Sequence, residues 1–133
     1  MAREGRRPYN GPLKDDVYFE AVSPSPYYNF HTDSPVTQYE VRKDQVLLGV
    51  IWFSDNDDAG GFMSAAACGG RGKNASVEWN QQLRQAKAAG LGPQLAVESL
   101  VRDVDLGQHG RIDTASRRHF PDLAAAHAFA AER

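Results

Sequence analysis

The chain carries a single cysteine, Cys68, among its 133 residues. One thiol excludes an intramolecular disulfide, and with it the stapled framework of small secreted domains. No apolar run approaches the ~20 residues that a membrane-crossing helix requires, and the basic start Met-Ala-Arg-Glu-Gly-Arg-Arg is followed by none of the apolar stretch of a secretory signal. Charge of one sign is missing as well. Fifteen basic and 17 acidic residues leave a net charge of −2, so there is no global drive toward nucleic acid or anionic lipid. These absences together lead us to expect a cytoplasmic location.

Metal and cofactor signatures are also lacking. His31, His109, His119 and His127 show no metal-ligand spacing, and Cys68 has no sequence-visible partner to lower its pKa. Gly69-Gly-Arg-Gly-Lys73 has the composition of a phosphate loop without its spacing, and reads as a flexible linker. Asp55-Asn-Asp-Asp-Ala-Gly begins like a calcium loop but places Ala59 and Ala66 where an EF-hand needs oxygen ligands. We therefore expect neither metal nor cofactor.

What remains is an ordinary globular composition, 41% hydrophobic and 24% charged, enough for one domain with its own core. Residues 1–14 are poor in large aliphatics and rich in Arg, Gly and Pro, so they read as a mobile arm before a domain spanning 15–133. Val17–Val22 reads as a strand ended by Ser23-Pro-Ser-Pro26. Tyr39–Arg42, a tight turn at Lys43-Asp44 and the run Val46–Phe53 form a hairpin. Because Val46–Phe53 is apolar at nearly every position, it should be a central strand covered on both faces. Gly49 inside it marks a bulge or a bulky neighbour.

Gly60–Ala67 fits strand and helix equally. A helix is expected from Val77 to Ala89, with Ser76 as its N-cap and Gly90 as its stop, and another from Pro93 through Leu100 and Val101. A short strand is expected near Arg111–Asp113, and a terminal helix after Pro121 with Leu123, His127 and Phe129 along one side. The fold class that follows is α+β: an antiparallel sheet of three to four strands, packed on one face by two or three C-terminal helices.

Two segments are candidate functional sites. The acidic turn Asp55, Asp57 and Asp58 ends the central strand, where its carboxylates either meet a basic partner or a cation, or simply cap backbone amides in a solvated turn. The loop Pro24–His31 brings Tyr27, Tyr28, Phe30 and His31 between prolines. Exposed aromatics of this kind bury large area at little rotamer cost, although one of them plugging the core would account for the loop equally well.

The leading expectation is a non-catalytic protein-binding module, regulatory or immunity-type, that uses Tyr27, Tyr28, Phe30, His31, Asp55, Asp57 and Asp58. A small-molecule site or minor enzyme between sheet and helices, with Asp57, Asp58 and His31 converging, is the second. Nucleic-acid association through Arg111, Arg117, Arg118, His119 and the basic arm is the third.

Leu48-Gly49-Val-Ile51-Trp52, then Asp57-Asp-Ala-Gly-Gly-Phe62, then an Ala-rich helix closing at Gly90-Leu-Gly-Pro93, resembles a set of small actinobacterial proteins of uncharacterised function. The resemblance implies a compact cytoplasmic domain and assigns no activity to any residue.

Overall fold

A computed structural model describes residues 25–54 and 56–132. The arm at 1–14, the strand expected at Val17–Val22 and Asp55 lie outside these described residues. The core of the domain is an antiparallel sheet. Strands β1 (Val36–Lys43) and β2 (Val46–Ser54) form the hairpin, with Asp44 and Gln45 at its tip and Asp44 at φ 56°, a left-handed conformation that Asp tolerates. β3 (Gly60–Ser64) pairs with the far side of β2. Two short strands, β4 (Arg111–Ile112) and β5 (Arg118–Phe120), share the outer edge of β1. The expected central strand is therefore central, flanked by β1 and β3.

Both faces of the sheet are buried, and its register separates them. Tyr39, Val41, Ile51, Phe53 and Phe62 point to one face, where they meet Trp79 and Leu83 of α1 (Gly70–Ala88) and Val97 and Leu100 of α2 (Pro93–Asp103). Val36 and Trp52 point to the other, where Leu123 and Ala126 of α3 (Leu123–Ala131) cover them. The α+β architecture holds with two helices on one face; the third lies across the opposite face, because Trp52 alternates with Ile51 and Phe53 and needs a cover of its own. In α3 the buried positions are Leu123, Ala126 and Ala130, while His127 faces outward.

Helix α1 begins at Gly70, not Val77. Gly70 and Gly72, which read as part of a linker, are helical because α1 lies directly on the sheet: a Cβ at Gly72 would stand 3.2 Å from the Leu48 carbonyl oxygen and from Ser64 Cβ. Close packing outweighs the poor helix propensity of glycine here. Gly49 answers to both expectations at once, since a Cβ there would sit 2.3 Å from the Met63 carbonyl oxygen and 2.5 Å from the Phe62 ring, and the β1–β2 register shifts beside it between Val41 and Arg42. Gly60–Ala67 resolves into β3 followed by a 3-10 turn at Ala66–Cys68.

Among the described residues, one buried side chain is unsatisfied. Gln38 is fully buried opposite Trp52, and neither its amide nitrogen nor its oxygen has a hydrogen-bond partner. A buried amide left unpaired costs about 1–3 kcal/mol. Gln38→Leu, of similar volume, should therefore raise the denaturant midpoint with an unchanged slope; a fall in the midpoint would show that the amide is stabilising.

Candidate functional site

The two segments singled out from the sequence meet at the end of the sheet where β1 begins and β2 ends. They are joined by backbone: Asn29 N–H donates to the Asp58 carbonyl at 3.0 Å, and Gly60 N–H donates to the Asn29 carbonyl at 3.0 Å. Side chains reinforce the seam. The Thr32 hydroxyl donates to Asp57 Oδ2, and Ser34 Oγ donates to the same oxygen at 3.0 Å. The hydroxyl of Ser54, the last residue of β2, accepts from the backbone N–H of Asp57 at 2.9 Å and of Asn56 at 3.2 Å. Lys87, near the end of α1, donates to the Tyr27 carbonyl at 2.7 Å and stands 3.7 Å from Asp58 Oδ2. Loop, turn and helix thus form one platform.

Each expected site residue can now be located. Tyr27 and Phe30 are exposed, 39% and 58% respectively, with ring centroids 6.0 Å apart. Arg84 of α1 lies over the Tyr27 ring at 5.8 Å. His31 is exposed and 3.3 Å from Asp33. Asp57 and Asp58 are exposed at the turn. Tyr28 is the correction: it turns inward, packs in the core and donates its hydroxyl to the Leu91 carbonyl at 2.6 Å. The residue that plugs the core is the middle aromatic of the loop, so Tyr28 anchors the surface rather than forming it. Asp55 lies outside the described residues.

Electrostatics follow the geometry. Hydrogen bonds from Thr32, and then from Ser34, favour the charged form of Asp57 and hold its carboxyl below the usual aspartate range. A group with a depressed folded pKa contributes stability above its unfolded value and loses it as pH falls through the folded one. The seam between loop and turn is therefore intact at neutral pH and weakens in acid.

Burial, with a smaller push from Asp58, raises the Tyr28 phenol from 10.0 to about 12. The folded chain holds this proton more tightly than the unfolded chain does, so the contribution is complete below pH 10 and lost as pH rises toward 12. Alkaline unfolding should steepen across that window, and Tyr28→Phe should flatten it. An identical alkaline profile in wild type and variant would show that the phenol is not held this way.

The convergence of Asp57, Asp58 and His31 in one crevice is not what the geometry gives. A groove of about 650 Å³ beside His31 is lined by Thr32, Asp33, Asp122, Leu123, Ala124 and His127, with Asp57 and Asp58 outside it. No group of three His, Cys, Asp or Glu side chains among the described residues is arranged to hold a metal ion. No described helix is long and apolar enough to cross a membrane. Arg111 and Arg118 stand on separate short strands, and Arg118 lies over the Phe129 ring at 4.8 Å.

Sequence reasoning missed Thr32, Ser34, Ser54 and Lys87. Ser54, a hydroxyl residue just before Asp-Asn-Asp, carried a local turn signal. The other three act across 23 to 60 positions and left none. Comparison of the chain with protein-family models, with curated proteins and with solved structures finds no match.

Proposed function

We propose that the chain is a non-catalytic protein-binding module, regulatory or immunity-type, whose contact surface is the platform of Tyr27, Phe30, His31, Asp57 and Asp58. The observation that carries this reading is the exposure of Phe30 and Tyr27 side by side on a loop fixed from beneath by Tyr28 and from the side by the Asn29–Ala59 bridge. Two large apolar rings held rigidly in water lose little conformational freedom on binding and gain from desolvation, which is what an interface anchor requires. The carboxylates of Asp33, Asp57 and Asp58 around them suit a partner presenting lysine or arginine. Cys68, a free thiol half-buried against the Leu47 carbonyl, supports a reducing compartment such as the cytoplasm.

The test compares proteins retained from native extract by the wild-type chain and by Phe30→Ala, Tyr27→Ala and Asp58→Asn. All three changes are at exposed positions and should leave stability within ~0.5 kcal/mol. Loss of a hot-spot ring costs about 2 kcal/mol, roughly thirty-fold in affinity, so the partner held by the wild type should be lost with Phe30→Ala. Asp58→Asn should slow association and reduce its salt dependence. Recovery of the same proteins in the same amounts by every variant would defeat the proposal.

A further inference from the structure

At the opposite end of the sheet, three segments distant in sequence close around a polar cavity of about 320 Å³. The β1–β2 turn supplies Lys43 and Asp44, the first two turns of α1 supply Arg71 and Asn74, and the 3-10 turn Gly107–His109 supplies Gln108 and His109. Its walls are fixed. Trp79 Nε1 of α1 donates to the His109 carbonyl at 2.8 Å, pinning the 3-10 turn to the helix. Gly110, at φ 85°, brings that turn against the hairpin, where a Cβ would lie 2.6 Å from the Arg42 carbonyl oxygen.

The two cations on these walls have no ion-pair partner of their own among the described residues. Arg42 is paired with Glu40, and Lys87 faces Asp58, but no ion pair within 4.0 Å among the described residues involves Lys43 or Arg71. Two cations facing one concave space repel each other and are relieved by an anion between them, most by a dianion that accepts charge-assisted hydrogen bonds from both. Asp44, on the same wall, works against a bare inorganic ion and in favour of a ligand that also carries hydrogen-bond donors. Asn74 and Gln108 each offer both donor and acceptor. The volume falls at the lower end of small-ligand pockets.

From this arrangement we infer that the cavity binds a small phosphorylated polyol of the sugar-phosphate class. The phosphate lies between Lys43 and Arg71, and the hydroxyls reach Asp44, Asn74 and Gln108. The site shares no residue with the Tyr27–Phe30 platform, so the two readings stand or fall separately.

Glucose 6-phosphate is a suitable probe, titrated into the isotope-labelled full chain at low ionic strength and followed by amide chemical shifts, with glucose and inorganic phosphate titrated in parallel. Saturable shifts confined to Lys43, Asp44, Arg71, Asn74, Gln108 and His109 are expected for glucose 6-phosphate, with both parallel titrants binding at least about ten-fold more weakly. Removing one charge-assisted contact should weaken binding about ten-fold or more in Lys43→Gln and in Arg71→Gln, each keeping the dispersed spectrum of a folded chain. The inference is overturned by the absence of saturation, by binding of inorganic phosphate as tight as that of the ester, or by full binding in the variants.

Discussion

Trp52→Ala lowers the unfolding free energy by about 3–5 kcal/mol, as truncation of a large buried aromatic does. The ring is 2% exposed and is the largest member of the cluster formed with Val36, Ala59, Leu123 and Ala126. Against a total stability of about 5–15 kcal/mol for a domain of this size, the change removes a large share of the margin. It also distinguishes the two faces. Trp52 touches α3's cluster and not that of α1 and α2, so α3 should be the first element to lose protection from hydrogen exchange in the variant. Equilibrium unfolding that shows a loss below ~1 kcal/mol would mean that α3 is not seated on this face.

Trp79→Ala should cost as much on the other face, about 3–5 kcal/mol, and strand the His109 carbonyl as well. Trp79 is fully buried at the middle of α1, and its indole N–H is a hydrogen-bond donor to that carbonyl. Trp79→Phe separates the two contributions. It keeps most of the apolar volume and drops the hydrogen bond, so its cost should lie nearer to 1 kcal/mol plus the smaller ring. Equal losses for Ala and Phe would show that the hydrogen bond, and not packing, dominates at this position.

The sequence made the hairpin and the central strand readable because Val46–Phe53 is apolar throughout, a pattern that only a strand buried on both faces needs. The same uniformity concealed which residues faced which helix. With no polar residue to mark a side, nothing local says that Ile51 and Phe53 meet α1 while Trp52 meets α3. The start of β1 was hidden for a related reason. Thr37 and Gln38 are polar yet buried, because β5 covers the edge of the strand at these positions. The first turn of α1 was misread since glycine signals a loop unless the helix lies close enough to a sheet to need it, and that proximity is set by tertiary packing at Gly72.

Of the proposed contact surface, the residue types were legible and the assembly was not. Aromatics between prolines and three carboxylates after a strand stand out in any reading of the chain. That they adjoin depends on long-range contacts, among them the isolated bridge of Asn29 to Ala59, thirty positions apart, and the bonds of Thr32 and Ser34 to Asp57. Which ring turns inward was equally undetermined, since Tyr27 and Tyr28 are neighbours of one type; the carbonyl of Leu91 is what selects Tyr28. The cavity at the far end draws on positions 43 to 109 and has no linear signature at all.

The central claim, that a protein partner binds at the Tyr27–Phe30 platform, is tested most directly by site-specific photocross-linking of the full chain in native extract. A benzophenone side chain is placed at Phe30 and, as equally solvent-facing controls, at Val77 and Leu95, which are 66% and 60% exposed on α1 and α2. A discrete covalent adduct from position 30, absent from positions 77 and 95, is the expected result. Adducts in equal yield from all three positions, or none from position 30, would contradict it.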